Sequence, residues 1–314
     1  MRRYVVTRAL IIVPTLLLAS AAIFALMQLA VGGDPALYIM GREGSAAQAD
    51  ALRKDLHLDR PLIVQYVDWL RHVARGDFGR SFQYPLNVRA VILSRLPATL
   101  ELAGLGAGVA VAVAIPAGVY MALVPRGFGR LASASTIAAL CLPDFCLGIL
   151  LIYLFSVMLH WLPSSGYVPL RYGLGHNLAG MVLPVMSLAT WYAAAWARYV
   201  RSAFLETLDA DFVRVARAKG LAERAVSYRH VLRNAILPTL TIVGQNIAAM
   251  FGGVVAVETV FGNPGIGRLF STAVLGRDYP VIQGVIVMLT FVVCISSLIV
   301  DVLYGLVDPR IRYG

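Results

Sequence analysis

Charge is what this sequence has least of. Asp, Glu, Lys and Arg make up 14% of its 314 residues, where soluble globular domains carry about 25%. That supply is too small to cover a water-facing surface, so an ordinary soluble domain is excluded. Cysteine is almost absent as well. Cys141, Cys146 and Cys294 are odd in number, fall inside apolar runs and show no Cys-x-x-Cys spacing. They read as small apolar residues, with no disulfide framework or thiolate metal site. Lysine occurs only at Lys54 and Lys219, and Lys219 precedes Gly220. A phosphate-binding loop needs Gly-Lys-Ser/Thr, so this chain cannot bind ATP in that manner. The five histidines are scattered singly, and only His160, at an edge, approaches an apolar run. An intramembrane hydrolase would need a Ser/His, Asp/Asp or His-rich constellation inside those runs. Low-complexity tracts and strong internal repeats are missing too.

What the chain has instead is hydrophobicity: 59% apolar residues and a mean hydropathy of +0.75. Six runs are long enough to cross a bilayer as helices, which takes roughly 20 residues: Ala9–Val31, Ala98–Val124, Ala132–Leu159, Leu178–Ala197, Ala235–Val260 and Val281–Val307. Lipid offers backbone amides no partners, and the runs lack the alternation of a barrel, so they must be helical. The expected fold is an all-α polytopic membrane protein with six transmembrane helices. The first run follows basic residues and contains Ala19-Ser20-Ala21, which imitates a secretory signal. Its apolar stretch continues to Val31, so an uncleaved first span is expected.

The formal net charge of +10 would suggest nucleic acid until the charges are placed. Arg2, Arg3 and Arg8 precede the first run, Arg126 and Arg130 occupy the second loop, and Arg310 and Arg312 close the chain. The stretch from Arg198 to Asn234 holds eight Lys/Arg against four Asp/Glu. The two short loops on the other side hold only Arg171, then Arg268 and Arg277. Positive charge beside span ends marks the cytoplasmic side. Both termini and the 198–234 loop are therefore expected inside, and the charge describes topology rather than a nucleic-acid face. This divides the chain into an N-terminus and first span (1–31), an extracytoplasmic cap segment (32–97) and a core of five spans (98–314).

Within the cap, Ala46–Leu56 is expected to form a short surface helix. Leu62, Tyr66, Trp69 and Val73 recur at helical spacing over Pro61–Arg75, and Gly76-Asp77-Phe78-Gly79 breaks the pattern. Tyr66 and Trp69 are candidates for packing the cap onto the bundle. A further external stretch, "FGNPGIGRLFSTAVLGRDYP", has Pro264, two glycines and Pro280 framing one short helix. Arg268, Arg277 and Asp278 are placed there for rim electrostatics toward a partner.

The 198–234 loop is too long for a simple connection, which usually takes two to eight residues, and too well patterned for disorder. Ser202–Ala218 is compatible with one helix, with Phe204, Leu205, Leu208, Phe212, Val215 and Ala216 near one face. Gly220 can take positive φ and end that helix at its C′ position. A second helix would start near Leu221, with Ala225, Tyr228, Val231 and Leu232 as its apolar stripe. Such a hairpin is either a stiff solvated connector or a docking surface, and its patterning favours docking. In the third run, Pro143 removes a helix hydrogen bond and Asp144 follows it in apolar surroundings. A carboxylate there costs at least ~2.5–3.5 kcal/mol unless it faces water, a partner or the bundle interior. Asp144 either lines a translocation path, favouring solutes with a positive group, or is a protonated residue bonding the carbonyl that Pro143 frees. Glu258, near the end of the fifth run, is the second pathway candidate.

"DFVRVARAKGLAERAVSYRHVLRNAILP" resembles the EAA loop of ABC-importer permeases of the dipeptide/oligopeptide family. The likeness continues in "ETVFGNPGIGRLFSTAVLGRDYP" and "VDVLYGLVDPRIRY", and in "GGDP", "LHLDRPLIVQYVDWL", "GDFGRSF" and "RLPATLEL". Those blocks span nearly the whole chain in order. The general pattern is Glu-Ala-Ala, three residues, Gly, nine residues, Ile-x-Leu-Pro. Counted from Gly220, Arg214, Val215 and Ala216 take the first places and only the last Ala is kept. His230, Val231, Leu232 and Arg233 take the last places and only Leu is kept. The peptide branch departs in much this way.

The resemblance implies a type I importer permease fold in the bacterial cytoplasmic membrane. It implies a second homologous permease subunit, two cytoplasmic ATPase subunits that carry ATP and Mg²⁺, and an extracytoplasmic solute-binding protein. This chain itself would need no cofactor and catalyse nothing. The ATPase contact would fall on Arg214, Ala216, Ala218, Lys219, Gly220 and Leu221, with Glu223, His230 and Leu232. The binding protein would meet the surface that carries Arg268, Arg277 and Asp278. Di- or oligopeptide is the expected solute, with glutathione, nickel complexes and oligosaccharides as family alternatives. An ion-coupled secondary transporter is the competing class; it usually shows inverted repeats and mid-membrane ionisable groups.

Overall fold

The computed structural model describes residues 2–30, 60–124 and 126–307. The expected helix Ala46–Leu56, and Arg310 and Arg312, lie outside them. Helices dominate: α1 (Arg2–Ala30), α2 (Leu62–Ala74), α3 (Val88–Leu123), α4 (Phe128–Cys141), α5 (Asp144–Leu151), α6 (Leu174–Leu208), α7 (Asp211–Ala218), α8 (Leu232–Phe261), α9 (Ile266–Leu275) and α10 (Tyr279–Val307). Helix α5 runs on into a π-helical stretch, Ile152–Met158. Helix α8 is entered through a short turn, Glu223–Ala225, and a second π stretch, Val226–Val231.

Among the described residues, four helices are long and apolar enough to cross a membrane, or up to six if each bent pair is one span. The fold class expected from sequence is thus present, with two corrections to its spans. The third run is not one rod: α4 and α5 meet at a bend of 103°. Leu142 is extended, and Pro143 (φ −60°, ψ 145°) stands outside both helices. Proline has no N–H to give and pushes its predecessor out of helical conformation. The second run begins ten residues early, because α3 starts at Val88, where the Val88 N–H reaches the Gly79 carbonyl at 3.0 Å.

The chain forms two compact units. One comprises Val6–Leu96 and Leu269–Val292. Here α2 lies on α1: Phe24 stacks with Tyr66 (centroids 5.5 Å) and Trp69 (5.9 Å), and the Ser20 and Tyr66 hydroxyls are 2.9 Å apart. Tyr66 and Trp69 therefore pack as their spacing suggested, while Leu62 is exposed. Gly76 and Gly79, both with φ near +80°, turn the chain after α2. Gly284 lets α10 approach α3: a Cβ there would stand 2.7 Å from Val88 Cγ1.

The other unit comprises Met1–Val5, Pro97–Arg268 and Val293–Gly314. Helix α6 packs against α8, α4 and α5, and α8 also packs against α5. Small residues allow these approaches. A Cβ at Gly148 would meet Phe261 and Ser187, and one at Gly118 would stand 2.5 Å from Val200 Cβ. The buried core includes Trp196, Phe204, Leu102, Met121, Met181 and Leu188.

Candidate functional site

The charged loop folds as a capped hairpin. Helix α6 continues past the apolar run to Leu208, and the chain breaks at Asp209-Ala210 before α7. The single helix expected over 202–218 is thus two, and the break rotates its apolar stripe. Val213 and Ala216 are buried, whereas Phe212 is 44% and Val215 54% exposed. Gly220 ends α7 with φ +75°. The Gly220 N–H bonds the Arg217 carbonyl (2.9 Å) and the Leu221 N–H reaches the Ala216 carbonyl (3.4 Å). That pair of bonds is a Schellman cap, with Gly220 at C′. Outside the turn, Arg217 Nε donates to Glu223 at 2.7 Å.

The hairpin is held by a cluster of Val119, Ala122, Val200, Phe204, Val213, Ala216, Val226, Val231 and Ala235. Val226 and Val231 share a side because the turn between them is π-helical, and its wider i→i+5 bonding brings residues five apart to nearly the same face. The expected stripe was laid out at 3.6 residues per turn, so it misplaced Tyr228, which is 53% exposed. Of the residues expected to contact an ATPase, Arg214, Ala218, Lys219, Gly220, Leu221 and Glu223 are exposed, His230 and Leu232 are half-buried, and Ala216 is buried in the cluster. Sequence reasoning missed Phe212, Val215 and Tyr228 as outward-facing apolar groups. An outward apolar residue and an inward one look alike until the break at 209–210 fixes the phase.

The second feature is a cavity of about 330 Å³ lined by Pro143, Asp144, Phe145, Trp191, Tyr192, Gly253 and Ala256. Asp144 opens α5 and is half-buried. Its main-chain carbonyl accepts from Ser187 Oγ at 2.6 Å. The carbonyl that Pro143 cannot serve, that of Ala139, takes the Leu142 N–H at 3.3 Å. The bond expected between a protonated Asp144 and that carbonyl is absent.

Glu258 is different, and does not line this cavity. It is fully buried; Thr99 Oγ1 donates to its Oε1 (2.6 Å) and the Arg268 N–H to its Oε2 (3.1 Å). Thr99 Oγ1 in turn accepts the Ile266 N–H at 2.7 Å. Glu258 thus pins the start of α9 to α3, a structural role in place of the pathway role expected for it. Asp278 likewise faces inward. Its carboxylate accepts the Ser81 hydroxyl and the N–H groups of Phe82 and Gln83, the latter two at 3.2 Å. Its expected place on a partner-facing rim is corrected, because its charge is consumed by the 81–83 turn. Arg268 and Arg277 are exposed, and Arg268 Nη1 donates to the Gly262 carbonyl. Nearby, Tyr167 donates to Glu101 Oε2 at 2.8 Å. Burial first, and that carboxylate second, push its pKa up to about 12, so it stays a donor.

Broken and continuous apolar helices, an exposed charged hairpin and a cavity holding one carboxylate describe a polytopic membrane protein. Residues 114–313 match the family described as binding-protein-dependent transport system inner membrane component, and residues 1–103 match its N-terminal counterpart. The chain belongs to that family. It is 38% identical over 311 residues to a probable peptide ABC transporter permease protein of Sinorhizobium fredii, covering 99% of each chain. It is 37% identical over 319 residues to the oligopeptide transport system permease protein AppB of Bacillus subtilis, covering all of both. A crystal structure of an amino acid ABC transporter with histidines aligns with 70% of this chain and 94% of that one, at 18% identity and a TM-score of 0.49.

Proposed function

We propose that this chain is one transmembrane subunit of an ATP-driven importer that carries di- or oligopeptides inward by alternating access. A second permease subunit completes the pathway, two ATPase subunits dock on the hairpin around Gly220, and an extracytoplasmic binding protein delivers the solute near Arg268 and Arg277. Both termini and the hairpin lie on the cytoplasmic side. ATP and Mg²⁺ belong to the ATPase subunits. The peptide assignment is supported by the names of the full-length relatives above.

The observation that carries the reading is the hairpin itself. Its inner face is spent on the cluster around Phe204, yet Phe212, Val215, Leu221 and Tyr228 stand exposed. They are interspersed with exposed Arg214 and Glu223. Apolar anchors rimmed by charge, on a backbone fixed by a Schellman cap, are what a partner groove needs. Val215→Asp tests it, since Val215 lies outside the cluster that holds the hairpin together. The variant should reach the membrane at wild-type level but lose co-purifying ATPase subunits and solute-stimulated ATP hydrolysis. Wild-type co-purification and stimulation would sink the docking assignment.

A further inference from the structure

The cavity at the α4–α5 bend has a chemistry that the docking hairpin does not explain. Among the described residues nothing hydrogen-bonds or ion-pairs with the Asp144 carboxylate. A charge so placed must be answered by something. Part of the answer is local: Asp144 is the first residue of α5, where free N–H groups and the helix dipole favour an anion. That keeps the carboxylate available without neutralising it.

The surroundings define what would complete it. Gly253 of α8 leaves the space that Asp144 occupies, because a Cβ there would stand 2.6 Å from Oδ2. Trp191 and Tyr192 of α6 line the same cavity and are packed edge to face, centroids 5.0 Å apart. Tyr192 is itself buried, so this wall is fixed. An anion beside aromatic rings, in a space at the lower limit of small-molecule sites, suits a compact cation. An ammonium gains both the charge-assisted hydrogen bond and the ring quadrupole, whereas a carboxylate or phosphate would be repelled. We propose that this cavity receives the alkylammonium group of the transported solute, with Asp144 as counter-ion and Trp191 and Tyr192 as aromatic walls. The inference rests on the permease reading above and adds a selectivity to it.

An alkylammonium can be a peptide's amino terminus or a lysine side chain, and two pairs of probes separate them. The assembled complex, reconstituted in vesicles with its binding protein, would be given Ala-Leu-Ala against its N-acetyl form, and Ala-Lys-Ala against the norleucine peptide. The readout is the ratio of uptake kcat/KM within each pair. The binding protein's own preference is the same for every permease variant and cancels when variants are compared. Asp144→Asn should reduce the preference for the ammonium-bearing member of at least one pair roughly tenfold. Trp191→Leu should reduce it about threefold. The pair that responds identifies the source of the ammonium. Uptake that continues in both variants with wild-type ratios overturns the proposal and leaves the permease reading intact. So does loss of the second permease subunit from the Asp144→Asn complex with unchanged ratios for Trp191→Leu, which would assign the carboxylate to a subunit contact. A wild-type complex that hydrolyses ATP but imports none of the four peptides defeats the peptide reading, and this inference with it.

Discussion

Asp144 and Glu258 are both acids in apolar helices, yet their surroundings are opposite. Both oxygens of Glu258 accept hydrogen bonds, from Thr99 and the Arg268 backbone, and the side chain is fully buried. Asp144 borders an open cavity and no described residue bonds its carboxylate. A saturated buried acid is architecture, and an unsaturated one is available for work. The expense of burial is the same kind in both cases; what differs is whether this chain answers it alone. Asp278 sits on the side of Glu258, with three donors from one turn.

That contrast can be broken by substitution, and the effects should rank by how many buried partners are orphaned. Glu258→Ala should be the most damaging. It removes the acceptor of the buried Thr99 hydroxyl and of the Arg268 N–H, a loss of about 3 kcal/mol, measured as thermal stability of the purified complex. A stability within about 0.5 kcal/mol of wild type would show that Glu258 is no staple. Asp278→Ala should lose less, about 1.5 kcal/mol, because Phe82 and Gln83 are exposed and water can replace the acceptor. Limited proteolysis near residues 81–83 should report the loosened turn.

Gly220→Val should come next in stability but first in consequence. A β-branched side chain at φ +75° costs roughly 1–2 kcal/mol, although open space surrounds the position. The hairpin would reorient, with insertion retained and solute-stimulated ATP hydrolysis lowered. Full stimulation would mean the cap is incidental. Asp144→Asn should disturb stability least, within about 0.5 kcal/mol, because its carboxylate has no hydrogen bond among the described residues. A large fall in melting temperature would place Asp144 with Glu258 and erase the distinction.

Much of this was legible in the sequence, and the failures are instructive. Apolar runs gave the helical class, and Gly220 was readable as a C′ residue from its position between two amphipathic stretches. The glycines and Pro264 framing α9, and the aromatic pair Tyr66 and Trp69, were readable for similar local reasons. The corrections all involve information that periodicity does not carry. The rotation of the hairpin follows from a break at Asp209-Ala210 and a π-helical turn at Val226–Val231, neither of which has a strong residue signature. Pro143 announced a lost hydrogen bond but not a 103° bend. Glu258 and Asp278 were misread because their partners, Thr99 and Ser81, lie 159 and 197 residues away in sequence. An acid near a span end looks like surface until the donor that claims it is known.

Helix α6 has a mechanical meaning beyond its packing. It is a 35-residue rod with Trp191 and Tyr192 at the cavity and Phe204 in the hairpin's anchor. The two stations are about 20 Å apart at roughly 1.5 Å per residue, with no break between them. A continuous helix of this kind would carry a displacement at one station to the other. Where α3 crosses at Gly118, the backbone of Ala197 and the side chain of Val200 leave no room for a methyl group. That crossing lies between the two stations, so a tilt of α6 about it would move the cavity wall and the hairpin's anchor in opposite senses.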